Sequence, residues 1–300
     1  MVNSNPLVSV IMNCFNGEKY LIEAIGSVLA QSYKNWEIIF WDNQSNDKSA
    51  ELFLSYRDKR LKYFYAERHG LLYEARNHAI QKASGELIAF LDVDDFWEPN
   101  KLLLQVNLFN DPKVGFSCGN YWIKDEATNV KKIGLKRKIP SGKVLLNLIS
   151  CYSVGMLTLI VRKKAIDDLE QLFNPTYSII GDFDFVIKIA SMGWCLSPIQ
   201  EPIATYRLHD KNQTKISNAL HELELRNWTS YQKKYRFKPW DREYKYLSNS
   251  LNYIKALNYL RLGKRISAIK IAHELPFGLY KLRIMSMSLV PNILFKFFKN

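Results

Sequence analysis

Nine residues constrain the fold of this chain more than any others: Leu87-Ile-Ala-Phe-Leu-Asp-Val-Asp-Asp95. Five consecutive apolar residues, opened by Gly85-Glu86, have the length and composition of a strand buried on both faces. The run then turns abruptly into carboxylates at Asp92, Asp94 and Asp95. In an open α/β sheet, ligands sit outside the carboxyl ends of the strands, so these acids are expected at the rim of a crevice. Carboxylates this close repel one another. A divalent cation such as Mg²⁺, which takes one or two carboxylates together with substrate phosphates, relieves that repulsion. Taken alone, the same residues also suit an acidic turn capping a helix that starts near Trp97-Glu98-Pro99. A calcium loop does not fit: the sixth position from Asp92 is Trp97 rather than Gly, and the twelfth is Leu103 rather than Glu.

The segments before this strand alternate between two periodicities. Leu7 to Met12 reads as a first core strand and ends in the turn Asn13-Cys-Phe-Asn-Gly17. Glu18 to Gln31 carries Leu21, Ile22, Ile25, Val28 and Leu29 at helical spacing, with Asn16 as the expected N-cap. Trp36 to Trp41 is a second strand that ends in Asp42. A helix is expected at about 48–57, a strand at Leu61–Tyr65, and a helix over Gly70–Ala83 that carries Arg76. Such alternation implies right-handed crossovers and a mostly parallel sheet. Two strands then deliver acids, Asp42 and the Asp92 cluster, to one edge.

Further on, Val114–Cys118, Tyr121–Ile123 and Leu157–Arg162 read as strands, and Lys131–Lys138 as an exposed basic loop or an acceptor-side surface for a lipid phosphate. Gly181 to Ala190 reads as a helix with Asp182 and Asp184 in its first turn. Ile199 to His209 is extended, so Arg207 and His209, two apart, face one side.

In this order the residues resemble the inverting glycosyltransferases of family 2, the type that builds bacterial polysaccharide and lipopolysaccharide on the nucleotide-sugar-binding GT-A fold. Val8 to Asn16 resembles the family's opening strand and Tyr-Asn turn, and Asp42-Asn-Gln-Ser-Asn-Asp47 its Asp-Asp-Gly-Ser-Thr-Asp loop. Gly70 through Ala75-Arg-Asn77 and then Ala83 to Asp95 follow the pattern almost residue by residue. Gly181-Asp-Phe-Asp184 stands where the family has Glu-Asp-x-Asp, with Gly181 in place of the Glu. Glu201-Pro-Ile-Ala-Thr-Tyr-Arg-Leu-His209 closes a resemblance that covers about residues 7–215.

The resemblance implies transfer of a sugar from a nucleotide-diphosphate sugar, UDP first, to a hydroxyl of a carbohydrate or lipid-linked glycan, with inversion. It implies Asp182 as the catalytic base, and Asn13, Phe15, Asp42, Arg76, Asp92 and Arg207 as donor-binding residues. Asp94 is the expected ligand of Mg²⁺ or Mn²⁺, with Asp92 and His209 in the same shell and Asp95 in support. Three other readings stay open. A catalytically inactive sugar-nucleotide or glycan-binding module is favoured by Gly181. A phosphatase with an aspartyl nucleophile would need its Asp-x-Asp on the first strand, which here ends in Asn13. A nucleotidyltransferase would need a Gly-rich, Arg-containing loop after that strand.

Charge divides the chain. Residues 1–219 hold 26 Lys+Arg against 24 Asp+Glu, a net +2, and residues 220–300 hold 16 against 5, a net +11. A catalytic domain over 1–219 and a basic helical region over 220–300 are therefore expected, with an anionic surface rather than nucleic acid as the basic region's partner. Tyr246–Leu260 and Ile266–Leu275 read as a helical hairpin broken at Gly263, with Leu247, Leu251, Ile254 and Leu257 as its apolar stripe. Residues 276–300 interleave bulky apolar and basic side chains in runs too short to span a bilayer. They suit an interfacial segment on an anionic membrane, or packing on the catalytic domain or on a second copy in a homodimer. Four scattered cysteines without Cys-x-x-Cys suit buried thiols in a reducing compartment. No secretory signal is visible at the start. The expected location is the cytoplasm, at the inner face of the inner membrane.

Overall fold

The computed structural model describes residues 5–210, 212, 218–235 and 241–289. Contacts divide the chain into one unit of residues 1–145 with 152–215, and another of 146–151 with 216–300.

The first unit begins with β1 (Val8–Cys14), α1 (Glu18–Leu29), β2 (Trp36–Asp42), α2 (Ser49–Leu54), β3 (Leu61–Tyr65), α3 (Leu72–Gln81) and β4 (Leu87–Phe90). β1 pairs parallel with both β2 and β4, and β2 with β3. Every residue of β1 and of β4 is buried, as continuous apolar runs in a covered parallel sheet should be. The polar break early in β1, Ser9, is satisfied: its hydroxyl donates to Glu37 Oε1 at 2.6 Å and accepts the Gly85 N–H at 2.8 Å. Gly85 is required there, since a Cβ would lie 2.6 Å from the Leu7 carbonyl oxygen. Burial works against charge on Glu37, yet hydrogen bonds from Lys62, Ser9 and the Ser84 N–H outweigh it and hold the carboxyl below its ordinary range.

Asn16 does not cap α1. It adopts φ 55°, and Gly17 is the capping position, without a side-chain cap bond. The free N–H groups of this end are met from about 30 residues away: Ser45 Oγ accepts the Asn16 N–H, Ser49 Oγ that of Gly17, and Asp47 Oδ2 that of Glu18. The polar loop after β2 is thus a clamp on the first helix.

After β4 the expected helix near Trp97 is replaced by a two-residue strand, β5 (Phe96–Trp97), and α4 (Lys101–Val106) starts later. Next come β6 (Val114–Ser117), β7 (Gly119–Asp125) and β8 (Lys131–Ile133), so the start of the expected basic loop is a strand antiparallel to β7. α5 (Leu145–Ser150) leads to a 3-10 turn at Met156–Thr158, and only the end of the expected strand 157–162 is extended, as β9 (Ile160–Arg162). α6 (Lys163–Asp167), α7 (Gly181–Ser191), β10 (Cys195–Leu196) and β11 (Ile199–Leu208) complete the unit. The main sheet runs β10-β6-β9-β4-β1-β2-β3. It is mostly parallel, but β9 lies antiparallel to both β4 and β6.

A second sheet, β5-β11-β7-β8, builds the site. β5 follows directly on the acids after β4 and pairs with β11 through Ala204↔Trp97 and Thr205↔Phe96. Pro202 has no N–H to donate, and the register of β11 against β7 shifts on both sides of it. The end of β11 is thereby delivered to Asp94 and Asp95.

The second unit takes in α5 from its second residue on, together with α8 (Asn218–Tyr235), α9 (Arg242–Arg261), α10 (Arg265–Glu274) and α11 (Leu279–Ser288). Gly263, at φ 74°, makes the turn of the expected hairpin. Of the expected stripe on α9, Leu247 is buried and Leu257 packs with Tyr253, Ala256 and Leu260 against Ala268, Ile271, Ala272 and Ile284, while Leu251 and Ile254 are half-buried. Alanines at 256, 268 and 272, which a pattern weighted toward Leu and Ile passes over, let these helices approach closely.

Candidate active site

Three acidic positions meet two cations beyond the end of β4. Arg76, buried on α3, donates from Nη2 to both Asp92 oxygens at 2.7 and 3.0 Å. Burial disfavours its charge, but Asp92 and neighbouring groups raise its proton affinity further. The Asp92 side chain is 37% exposed, so it is open to a ligand on its other side. Asp94 Oδ2 lies 3.0 Å from His209 Nε2. Burial and then the Asp92 charge push the Asp94 carboxyl up, against the pull of His209. Asp95 is buried, accepts the Arg207 N–H at 2.9 Å, and is held well above its ordinary range by burial and by Asp94 and Asp92.

Arg207 is fully engaged. Its Nε donates to the Asp94 carbonyl at 2.8 Å, Nη1 to Glu126 at 2.6 Å and Nη2 to Glu23 at 2.5 Å, and its guanidinium lies over the Tyr20 ring at 4.6 Å. It ties β11, α1 and the turn after β7 to the acidic loop. The His209 ring stacks on Tyr20 at 5.2 Å. Among the described residues, no group of three or more His, Cys, Asp or Glu side chains is arranged to hold a metal ion.

On the other side of β1, Asp42 is buried, and its oxygens accept the Ser45 N–H and the Tyr63 hydroxyl, each at 2.7 Å. Asn13 is buried at the end of β1, in register with Trp41, and neither polar atom of its side chain has a hydrogen-bond partner. Buried amides are rarely left unpaired, so both polar atoms of Asn13 stand out at this strand end. Phe15 is 52% exposed, with its ring 4.4 Å from His69.

Asp182 stands in the first turn of α7 and accepts the Phe183 N–H at 2.8 Å. Burial raises its carboxyl above the ordinary range, opposed by that N–H and by Arg76 and reinforced by Asp92. Asp184, two residues on, pairs with Lys188 at 2.7 Å one turn later. Gly181 has a steric cause: a Cβ there would lie 2.5 Å from the Tyr73 ring, whose hydroxyl donates to the Ile179 carbonyl at 3.0 Å. Tyr73 occupies the space that a side chain at 181 needs. Gly181→Glu is therefore expected to destabilise the fold by about 1–3 kcal/mol, as overpacking does. In chemical denaturation, Gly181→Glu combined with Tyr73→Ala should cost less than the two single changes together. Additive costs would mean that the two sites do not compete for space.

The sequence profile described as "Glycosyl transferase family 2" matches residues 9–167, just over half of the chain. The chain is a family 2 glycosyltransferase. A relative from Escherichia coli, "UDP-Glc:alpha-D-GlcNAc-diphosphoundecaprenol beta-1,3-glucosyltransferase WfgD", is 39% identical over 149 residues, 49% of this chain and 59% of that protein. "Putative teichuronic acid biosynthesis glycosyltransferase TuaG" of Bacillus subtilis is 28% identical over 77% of this chain and 89% of its own. An uncharacterised glycosyltransferase of Rickettsia typhi is 31% identical over 77% and 73%. In fold, the transferase resembles S. aureus TarS in complex with UDP-GlcNAc, with TM-score 0.66, 19% identity, and 93% of this chain and 83% of that one covered.

Proposed function

We propose that this transferase moves a sugar from a UDP-sugar to a hydroxyl of a lipid-linked glycan, with inversion, in the synthesis of a bacterial cell-surface polysaccharide. The observation that carries the mechanism is Asp182, a carboxylate on a helix N-terminus whose proton affinity burial has raised, beside the Arg76–Asp92 pair. A raised value suits a general base working near neutral pH. The acceptor oxygen attacks the anomeric carbon as the bond to the diphosphate breaks, and its proton passes to Asp182. One displacement with one base inverts the centre. Asn13, Phe15 and Asp42 bind the nucleotide base, Asp92 faces the ribose, and Arg76 the phosphates. Arg207 acts through the acidic loop that it fixes.

The pair that suits a divalent cation is a carboxylate and an imidazole, Asp94 and His209, 3.0 Å apart. Asp94 and His209 would hold Mg²⁺ or Mn²⁺, with Asp92 in reach, and the cation would supply positive charge to the leaving diphosphate. The relatives' printed substrates, UDP-Glc and a diphosphoundecaprenol-linked GlcNAc for WfgD, supply the donor and acceptor classes. The test is NMR of the product linkage after incubation with a panel of UDP-sugars and a glycan diphospholipid acceptor. An inverted anomeric configuration is expected. A retained one overturns the mechanism, and binding without turnover for every donor would favour the inactive module.

A further inference from the structure

Among the described residues the outward face of α11 is uncovered and largely apolar, with the exposed Ser286 its one polar member. Leu279, Leu282, Met285 and Leu289 are 85%, 50%, 36% and 83% exposed, and Phe277, just before the helix, is 86% exposed. At 3.6 residues per turn, the first four fall within an arc of about 120°. The opposite side is anchored. Ile284 is fully buried and Met287 packs in the cluster of α9 and α10, while the Tyr280 ring stacks on Tyr253 at 4.4 Å. The stripe is therefore held in one orientation by the packing behind it.

Its borders are basic. On the helical wheel, Lys281 and Arg283 fall on either edge of the stripe. Over residues 255–289 there are seven Lys+Arg and a single acid, Glu274. Lys255, Lys264, Lys270 and Arg283 are exposed. Large contiguous apolar patches on a surface mark interaction sites. A protein interface is depleted in Lys. A bilayer interface instead favours bulky apolar residues on one face with Lys and Arg around them. Among the described residues no helix is long and apolar enough to cross a membrane, so the fitting geometry is a helix lying in the interface.

We infer that this face of α11 docks on the headgroup region of an anionic lipid bilayer. The last part of the basic segment, 290–300, lies outside the described residues, and the inference rests on α11 alone. It is independent of which sugar is transferred and of which residue is the base.

The test is co-sedimentation of the full chain with vesicles of phosphatidylglycerol and phosphatidylcholine, or of phosphatidylcholine alone, at low and high salt. Binding is expected to the anionic vesicles only and to weaken as salt rises. Leu279→Glu combined with Leu282→Glu should weaken it at least tenfold without lowering the unfolding midpoint, because both side chains are exposed. Leu289→Glu, a milder change at the far end of the stripe, should weaken it in part. The inference fails if the wild type ignores anionic vesicles at low salt, or if the double variant sediments as the wild type does. It fails equally if the wild type is a dimer that the double variant dissociates and neither binds lipid, which would make the stripe a contact between copies.

Discussion

Asp182→Asn is expected to lower sugar transfer by about 10²–10⁴-fold, the range for loss of a general base, while donor affinity stays near wild type. The same change is expected to stabilise the protein. Burial lets the folded chain hold the Asp182 proton to a higher pH than the unfolded chain does. As pH rises from the unfolded value through the folded one, ionisation progressively costs the folded state stability, and the cost is fully present above it. Asn carries no such charge, so the variant's advantage should be greatest near neutral pH and vanish in acid, where both side chains are neutral. The acid limb of kcat/KM in the wild type should likewise fall above the ordinary carboxylate range. Loss of turnover together with a gain in unfolding midpoint is difficult to produce by misfolding. Near-normal turnover in the variant would move the base elsewhere, with Asp184 the first alternative.

How much of this was legible in the sequence depends on how local each signal is. β1 and β4 are continuous apolar runs that end in polar residues, and composition alone places them and the acids after them. Asp182 could be placed at a helix start because Val186, Ile187 and Ile189 follow at core spacing. The partners of Arg207 could not be found this way. Glu23 and Glu126 lie 184 and 81 residues away in sequence, one on α1 and one in the turn after β7. Gly181 was visible as a departure from the family motif, but its cause is a ring contributed by Tyr73 on α3, more than 100 residues earlier. β5 is two residues long, too short for any periodicity, and Glu98-Pro99 after it reads as a helix entry. What the sequence conceals is consistently a contact between distant segments, and those made by Arg207 converge on the acidic loop.

That convergence gives Asp94 its expected sensitivity. Asp92 is tied to Arg76 and Asp95 to the Arg207 backbone, whereas Asp94 faces His209 across a distance that a cation could bridge with both as ligands. Nucleotide diphosphate should therefore stabilise the wild type against thermal unfolding only when Mg²⁺ or Mn²⁺ is present. At a ligand concentration 100-fold above Kd the gain is about 2.7 kcal/mol. Asp94→Ala should abolish it, and His209→Ala should reduce it, because a ring nitrogen is more readily replaced by water than a charged oxygen is. Without ligand, Asp94→Ala should be no less stable than the wild type: burial and the Asp92 charge already penalise the ionised carboxylate, and removing it relieves both. Asp95→Ala is the contrasting case: it relieves the same penalty but leaves the buried Arg207 N–H without an acceptor, a cost of about 1–3 kcal/mol set against that relief. Undiminished, metal-independent binding of nucleotide diphosphate by Asp94→Ala would remove the cluster from the donor site, and with it the case for a cation in the reaction.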